Sequence, residues 1–300
     1  MNQLDWRERR IAIAFIVLWL PAFVMTIVAC VSHVAYAPLL VQSSGQPAGP
    51  PIVTGFVPRM RGAESGLRAG DALLSVNGID LAGTGPFGWK SAVARFHGKD
   101  TVLEIVYRRD GTQSTTRVVA GSYAMYWPRV VASLVFACSV LILLFRVRAS
   151  ALVRSLAITY ACGALFFACT FGGGIVHPAW PLAVQLGSLA VGVPMALRSA
   201  LLFPSGLIPQ GNLARFGPWI FLFLAPLDAS RFYGLPLSPR VGALVGGLLL
   251  VVYLVSCVVV LMRSYRSSDA IARRRIKWFL IGVYWAVLPP VATAILAAVD

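Results

Sequence analysis

Three histidines and five cysteines, with eleven carboxylates, are all that this chain of 300 residues offers for zinc, acyl or phosphoryl chemistry. Their spacing supports none of it. His33, His97 and His177 stand far apart, and no H-E-x-x-H segment places two histidines one helical turn apart around a general-base glutamate. There is no G-x-S-x-G elbow, no phosphate-cradling P-loop and no kinase glycine loop. Cys30, Cys138, Cys162, Cys169 and Cys257 each sit inside an apolar run without paired spacing, so they read as helix-packing or lipid-facing residues rather than metal ligands or redox pairs. The expectation is no catalytic residue, no metal and no cofactor in these residues.

The elements that surround them are built for lipid. Apolar residues make up 58% of the chain and charged residues only 12%, with a mean hydropathy of +0.77, a balance that a water-soluble domain does not have. Apolar runs extend from Ile11 to about Val34 and then over about 124–145, 152–171, 180–203, 217–235, 241–262 and 278–299. Each is long enough to cross a bilayer, giving seven expected spans. The fifth is the shortest, because Asp228 and Arg231 interrupt it. Ala35-Tyr36-Ala37 imitates a signal-peptide cleavage site, but the preceding apolar run is too long for one and Pro38 follows the bond, so a retained first helix is expected.

The net charge of +15 comes from clusters between these runs, which excludes the continuous basic face that nucleic acid requires. The clusters instead set topology. Arg7, Arg9 and Arg10 fall on the same side as Arg146, Arg148 and Arg154, Arg215, and the segment "RSYRSSDAIARRRIK", whereas "GGGIVHPAW" on the opposite side carries no Lys or Arg. Short basic loops stay in the cytoplasm. The amino end is therefore expected inside and the insert between the first two spans outside. Seven spans would leave Asp300 outside directly after an apolar helix, so continuation through a further helix into a cytoplasmic domain is expected.

That insert is the one water-soluble stretch. After the Pro/Gly/Ser-rich segment "PLLVQSSGQPAGPP", read as a linker over 38–51, about 70 residues hold six of the eleven acidic side chains. "IVTGFV" reads as a strand, and a short helical turn stops at Gly66. Gly70-Asp71 makes a tight turn in which the carboxylate accepts backbone N–H groups. "ALLSVNG" alternates so that Ala72, Leu74 and Val76 share one face before a turn at Asn77-Gly78. Pro86 starts a helix expected over 87–97 with Trp89, Val93 and Phe96 at helical spacing. Asp110-Gly111 centres a hairpin. The expected domains are 1–37 (amino end and first span), 38–51 (linker), 52–121 (soluble module) and 122–300 (six further spans).

"ESGLRAGDALLSVNG" resembles the turn and strand of bacterial PDZ domains found in HtrA-type and site-2 proteases, with Gly66, Leu67, Gly70 and Asp71 as its structural residues. The resemblance covers 52–119. It implies a small α+β domain inserted into a multi-span α-helical membrane protein. It also implies a peptide or protein ligand that adds a strand to a sheet edge beside the second helix. Phe87, Trp89, Lys90, Val93 and Ala94 are then candidates for lining that groove, while ordinary core packing is the favoured reading for Trp89, Val93 and Phe96. The Gly-Φ-Gly-Φ carboxylate loop of the family is not present, which puts capture of a free C-terminus in doubt.

"FPSGLIP" (203–209) and "RRRIKWFLIG" (273–282) are similar to segments preceding the last helices of bacterial membrane histidine kinases, some of which carry a PDZ-like domain outside. That resemblance implies the sensing half of a two-component kinase in the bacterial inner membrane. It would be a homodimer in contact with lipid and would reach a response regulator only through a part beyond these residues. Arg273, Arg274, Arg275, Lys277 and Trp278 are then the transmission candidates. The alternative is a non-enzymatic PDZ-containing adaptor or protease regulator.

Overall fold

The computed structural model describes residues 6–44, 49–56, 61–147, 150–169, 179–203, 216–223, 239–271, 273, 274 and 277. Helix α1 (Trp6–Val31) leads into strand β1 (Ala35–Tyr36) and then β2 (Leu39–Gln42), β3 (Ile52–Phe56), β4 (Ala72–Val76) and β5 (Ile79–Asp80). Helix α2 (Gly85–Val93) precedes the hairpin β6 (Val102–Arg109) and β7 (Thr112–Val119), and β8 (Gly121–Ser122) closes the insert. Long helices follow: α3 (Trp127–Arg146), α4 (Ala151–Ala168), α5 (Ala179–Leu202) and α6 (Pro239–Ser267), with a 3₁₀ turn at Gly217–Phe223.

Among the described residues, four helices are long and apolar enough to cross a membrane: Glu8–Val31, Trp127–Arg146, Ala151–Ala168 and Ala183–Leu202. Of the expected fifth span, 217–235, only the turn at Gly217–Phe223 is described, and the expected seventh span, 278–299, lies outside the described residues. The expected sixth span falls within α6.

Alanines allow α1, α3 and α4 to approach one another. Ala12 of α1, Ala137 of α3, and Ala157, Ala161 and Ala164 of α4 are buried together with Phe15, Val140 and Leu144, the small-residue packing that apolar surroundings favour. A methyl group at Gly192 of α5 would lie 2.7 Å from Cys162 Cβ, so α5 packs closely on α4 only because that position is glycine. Several hydroxyls inside this bundle bond across helices, whereas Glu8 Oε1 of α1 is buried with no partner among the described residues. The Trp19 indole N–H donates to Ser133 Oγ at 2.9 Å, and Ser133 Oγ donates to the Ala164 carbonyl at 2.8 Å, joining three helices through one hydroxyl. The Thr26 hydroxyl donates to the Ala168 carbonyl.

The insert is an antiparallel sheet of order β2-β3-β4-β6-β7, with β5 beside β4 and α2 packed on one side. Its core contains Val53, Leu73, Leu103, Ile105, Trp89 and Val93. The hairpin turn expected at Asp110-Gly111 is present, both residues having positive φ (48° and 83°), the backbone that a two-residue loop between right-twisted strands demands.

Three expectations are corrected. The stretch read as a linker contains β2, whose Leu39 and Val41 are buried against the core. Leu73 and Val76, not the set Ala72, Leu74 and Val76, enter the core, because the β4–β6 register shifts between Leu73 and Ser75 and a bulge inverts a strand's alternation. Helix α2 runs Gly85–Val93 rather than 87–97, which leaves Phe96 in the following turn.

Ser133→Ala would leave the Trp19 N–H without its acceptor and α4 without its bond to α3. We expect about 1–2 kcal/mol of lost stability, read as a lower midpoint of thermal unfolding in detergent micelles.

Candidate functional site

The sheet ends at β2. Among the described residues no strand pairs with its outer edge, and α2 lies alongside. The local sequence explains both. Pro38 cannot donate a ladder bond, and Leu39 and Val41 point inward while Leu40 is exposed. Pro86 at the start of α2 suits a first-turn position where no intrahelical donor is needed. The Trp89 indole N–H donates to the Leu39 carbonyl at 3.3 Å, so helix and edge strand are joined by a buried side chain.

The groove candidates are therefore divided. Trp89 and Val93 are fully buried in the module core. Lys90 is half-buried; burial pulls its ammonium below the ordinary lysine range, and the phenol of Tyr36 partly offsets this. Ala94, just past the helix end, is buried against Ala29, Val34 and Tyr123, at the end of α1. Phe87 belongs to α2. The sequence reading missed Leu39–Gln42 as the open edge. The signal was there, since Leu39 and Val41 alternate with Leu40 and Gln42, but it is four residues long and flanked by Pro, Ser and Gly.

The turn residues Gly66, Leu67, Gly70 and Asp71 lie together. Gly66 (φ 76°) and Gly70 (φ 100°) adopt a backbone closed to most side chains, and Leu67 is buried. The Asp71 carboxylate accepts the Arg68 N–H at 2.7 Å. It also accepts two bonds of 2.7 Å from the Arg109 guanidinium, which in turn donates to the Gly66 carbonyl at 2.9 Å. This fork ties the turn to the end of β6. It was not legible from the turn motif because Arg109 is 38 residues away. These hydrogen bonds, those from Arg109 first, hold the Asp71 carboxyl below its usual range.

Where the insert joins the helices, the chain is tightly bonded. His33 turns the end of α1 with a left-handed φ of 48°. The Ala35 N–H then donates to the Phe96 carbonyl (2.8 Å), the Gly98 N–H to the His33 carbonyl (3.0 Å) and the Tyr123 N–H to the Val34 carbonyl (3.0 Å). Val34 forms an antiparallel bridge with His97, and Ala35 and Tyr36 pair with Ser122 and Gly121. The incoming segment thus lies between the outgoing segment and the turn after α2. His33 Nδ1 lies 3.2 Å from Ser122 Oγ, and the Cys30 thiol donates to the Tyr123 carbonyl. Tyr36 meets Tyr123 and Tyr126 edge-on, each with centroids 5.2 Å apart, and Arg129 lies 4.7 Å over Tyr126. Burial and the neighbouring Tyr36 hold the Tyr126 phenol above its ordinary range.

The transmission candidates are less complete. Arg273, Arg274 and Lys277 are helical and exposed, and the Arg273 side chain donates to the Ser268 carbonyl at 2.8 Å. Arg275 and Trp278, and "FPSGLIP" beyond Phe203, lie outside the described residues. Among the described residues there is no group of three or more His, Cys, Asp or Glu that could hold a metal.

No family model matches the chain, and no curated protein does. Among solved structures the chain is similar to the serine endoprotease from Yersinia pestis, at 19% identity and a TM-score of 0.25, over 30% of this chain and 29% of that one. It is also similar to an HtrA-type protease with decapeptide, at 20% identity and a TM-score of 0.27, over 34% and 33%. The chain spans about a third of the length of these structures.

The Asp71 carboxyl is depressed in the folded state, so its stabilisation is complete above the unfolded value of about 4 and is lost as pH falls through the folded value. Protection of the β6 amides in the full chain, measured against their intrinsic exchange rates, should therefore fall below about pH 4. Asp71→Asn should remove that part of the pH slope and cost about 2 kcal/mol at neutral pH. An unchanged slope in the variant would place the acid sensitivity elsewhere.

Proposed function

We propose that this chain is the sensing and transmission part of a bacterial membrane signalling protein. Its PDZ-like module binds a peptide or protein outside the inner membrane, and its helices carry the change inward. The observation that carries the proposal is the unpaired edge of β2 beside α2, on a module in which backbone hydrogen bonds tie residues 33–36, just after α1, to 121–123, just before α3. A strand edge with no paired neighbour can offer main-chain donors and acceptors to an extended polypeptide.

The remaining features fit this reading. Basic residues cluster at the amino end of α1, after α3 and after α6, the pattern that keeps those ends in the cytoplasm and puts the module on the other side. Seven spans follow from the hydropathy of 217–235, 241–262 and 278–299 added to the four described helices. "FPSGLIP" and "RRRIKWFLIG" support a histidine-kinase output beyond the present residues, acting as a homodimer on a response regulator, with Arg273, Arg274, Arg275, Lys277 and Trp278 at the point of transmission. Lipid and an extracytoplasmic polypeptide are the partners of this part.

Two measurements test the proposal. Ser114→Cys, on the exposed face of β7, should react with a membrane-impermeant maleimide on intact spheroplasts; protection until lysis would reverse the topology. The full chain in nanodiscs should capture members of a peptide library displaying free C-termini and internal sequences. Bound peptide should slow amide exchange over Leu39–Gln42. A library without a single member that protects this edge would remove peptide binding.

A further inference from the structure

We infer that the groove between β2 and α2 is latched shut by Trp89, and that opening it moves the ends of α1 and α3. This rests on the reading of the β2 edge as the ligand-binding edge and adds how occupancy reaches the membrane.

The latch follows from the position of the indole. Trp89 is fully buried and its N–H donates to the carbonyl of Leu39, the first residue of the edge strand. One side chain spans the whole gap between strand and helix at that level. A strand added to a sheet lies about 4.8 Å from its neighbour and needs the outward-facing backbone groups of β2 for its ladder. It cannot pair alongside Leu39 while the indole holds that carbonyl and fills the space. Pairing there requires Trp89 to let go and α2 to move away from β2.

The consequence for the membrane follows from the other end of α2. The helix has nine residues, about two and a half turns, and is too short to absorb a displacement by bending. Three residues beyond its end the Phe96 carbonyl accepts the Ala35 N–H, and Gly98 donates to His33. Ala94 packs on Ala29 inside the last two turns of α1, and on Tyr123 at the approach to α3. Val34 in turn accepts from Tyr123. A shift of α2 away from β2 must therefore either break these bonds or carry residues 33–36 and 121–123 with it.

The test needs no ligand. Trp89→Phe keeps an apolar ring and removes the N–H donor. Amide hydrogen exchange is followed on the full chain in nanodiscs. The amides of Ala35, Gly98 and Tyr123 should exchange several-fold faster together with those of α2, while Leu103 and Ile105 in the sheet core keep their protection. Acceleration confined to Leu39–Gln42 and α2 would overturn the coupling. Should Trp89→Phe also expose the sheet core, Ala94→Gly perturbs the same path from the membrane end and decides the matter. It should accelerate exchange at Lys90 and Val41, and wild-type protection at both would overturn the coupling. Peptide capture by the full chain is read separately, so failure of the latch and failure of the binding proposal are distinguishable.

Discussion

Everything that the module can do for the helices depends on how residues 33–36 are paired. Between α1 and the sheet the chain could have run through a flexible tether of the kind that Gly and Ser make. Instead it enters between the turn after α2 and the outgoing segment at 121–123, bonded to both sides. Each of these bonds alone contributes about 1 kcal/mol. Together with the aromatic contacts of Tyr36, Tyr123 and Tyr126, they fix the position of the insert relative to α1 and α3. The left-handed backbone at His33 makes this possible, because it turns the chain from helix into strand within two residues.

A second constraint operates inside the bundle. Water is not available there to satisfy polar side chains, so protein partners must do it. Ser133 accepts from Trp19 and donates to Ala164, Thr26 donates to Ala168, and Ser199 meets Ser155 at 3.0 Å between α5 and α4. Hydroxyls that return a bond to a carbonyl of a neighbouring helix set register as well as affinity, while alanine and glycine set distance. The insert does the same job in water with a different tool. Arg109 and Asp71 fasten a turn to a strand with a charged fork, which water screening would make weak on an open surface. Here the Asp71 side chain is only 2% exposed, and breaking the pair would strand a buried carboxylate.

Local signals in the sequence were read well and distant ones poorly. The helical runs, the positive-φ turns at Gly66, Gly70 and Asp110-Gly111, and the start of α2 at Pro86 are fixed by residues next to one another, so their chemistry is visible without a fold. Strand β2 was hidden because Leu39 and Val41 carry only two inward positions and their neighbours are loop formers; the strand exists because β3 is there to pair with it. The face of β4 was misassigned because a bulge is decided by the partner strand as much as by its own residues. Trp89 lies on α2, while Ala94, expected on the same helix, falls just past its end. Their separation into a latch on one side and a membrane contact on the other depends on where α1 ends relative to α2, which no spacing in the chain encodes.

A ligand shifts an equilibrium only by the difference between its affinities for two arrangements, and the structure identifies one contact that supplies such a difference. In the arrangement described here the Leu39 carbonyl belongs to Trp89. In any arrangement with a strand beside Leu39 it belongs to the ligand, and the indole must be accommodated elsewhere. The cost of releasing a fully buried tryptophan lowers apparent affinity, and the same cost keeps the unliganded population closed. Were the groove already open, binding would be tighter but would change little at residues 33–36. On the proposed reading, a latched edge strand would give up affinity in exchange for a larger change in population. The position of Ala94 is consistent with this. It lies just past the end of α2 and is buried in one cluster with Ala29 of α1 and Tyr123, so the end of the module's helix and the end of the membrane helix meet through one small side chain.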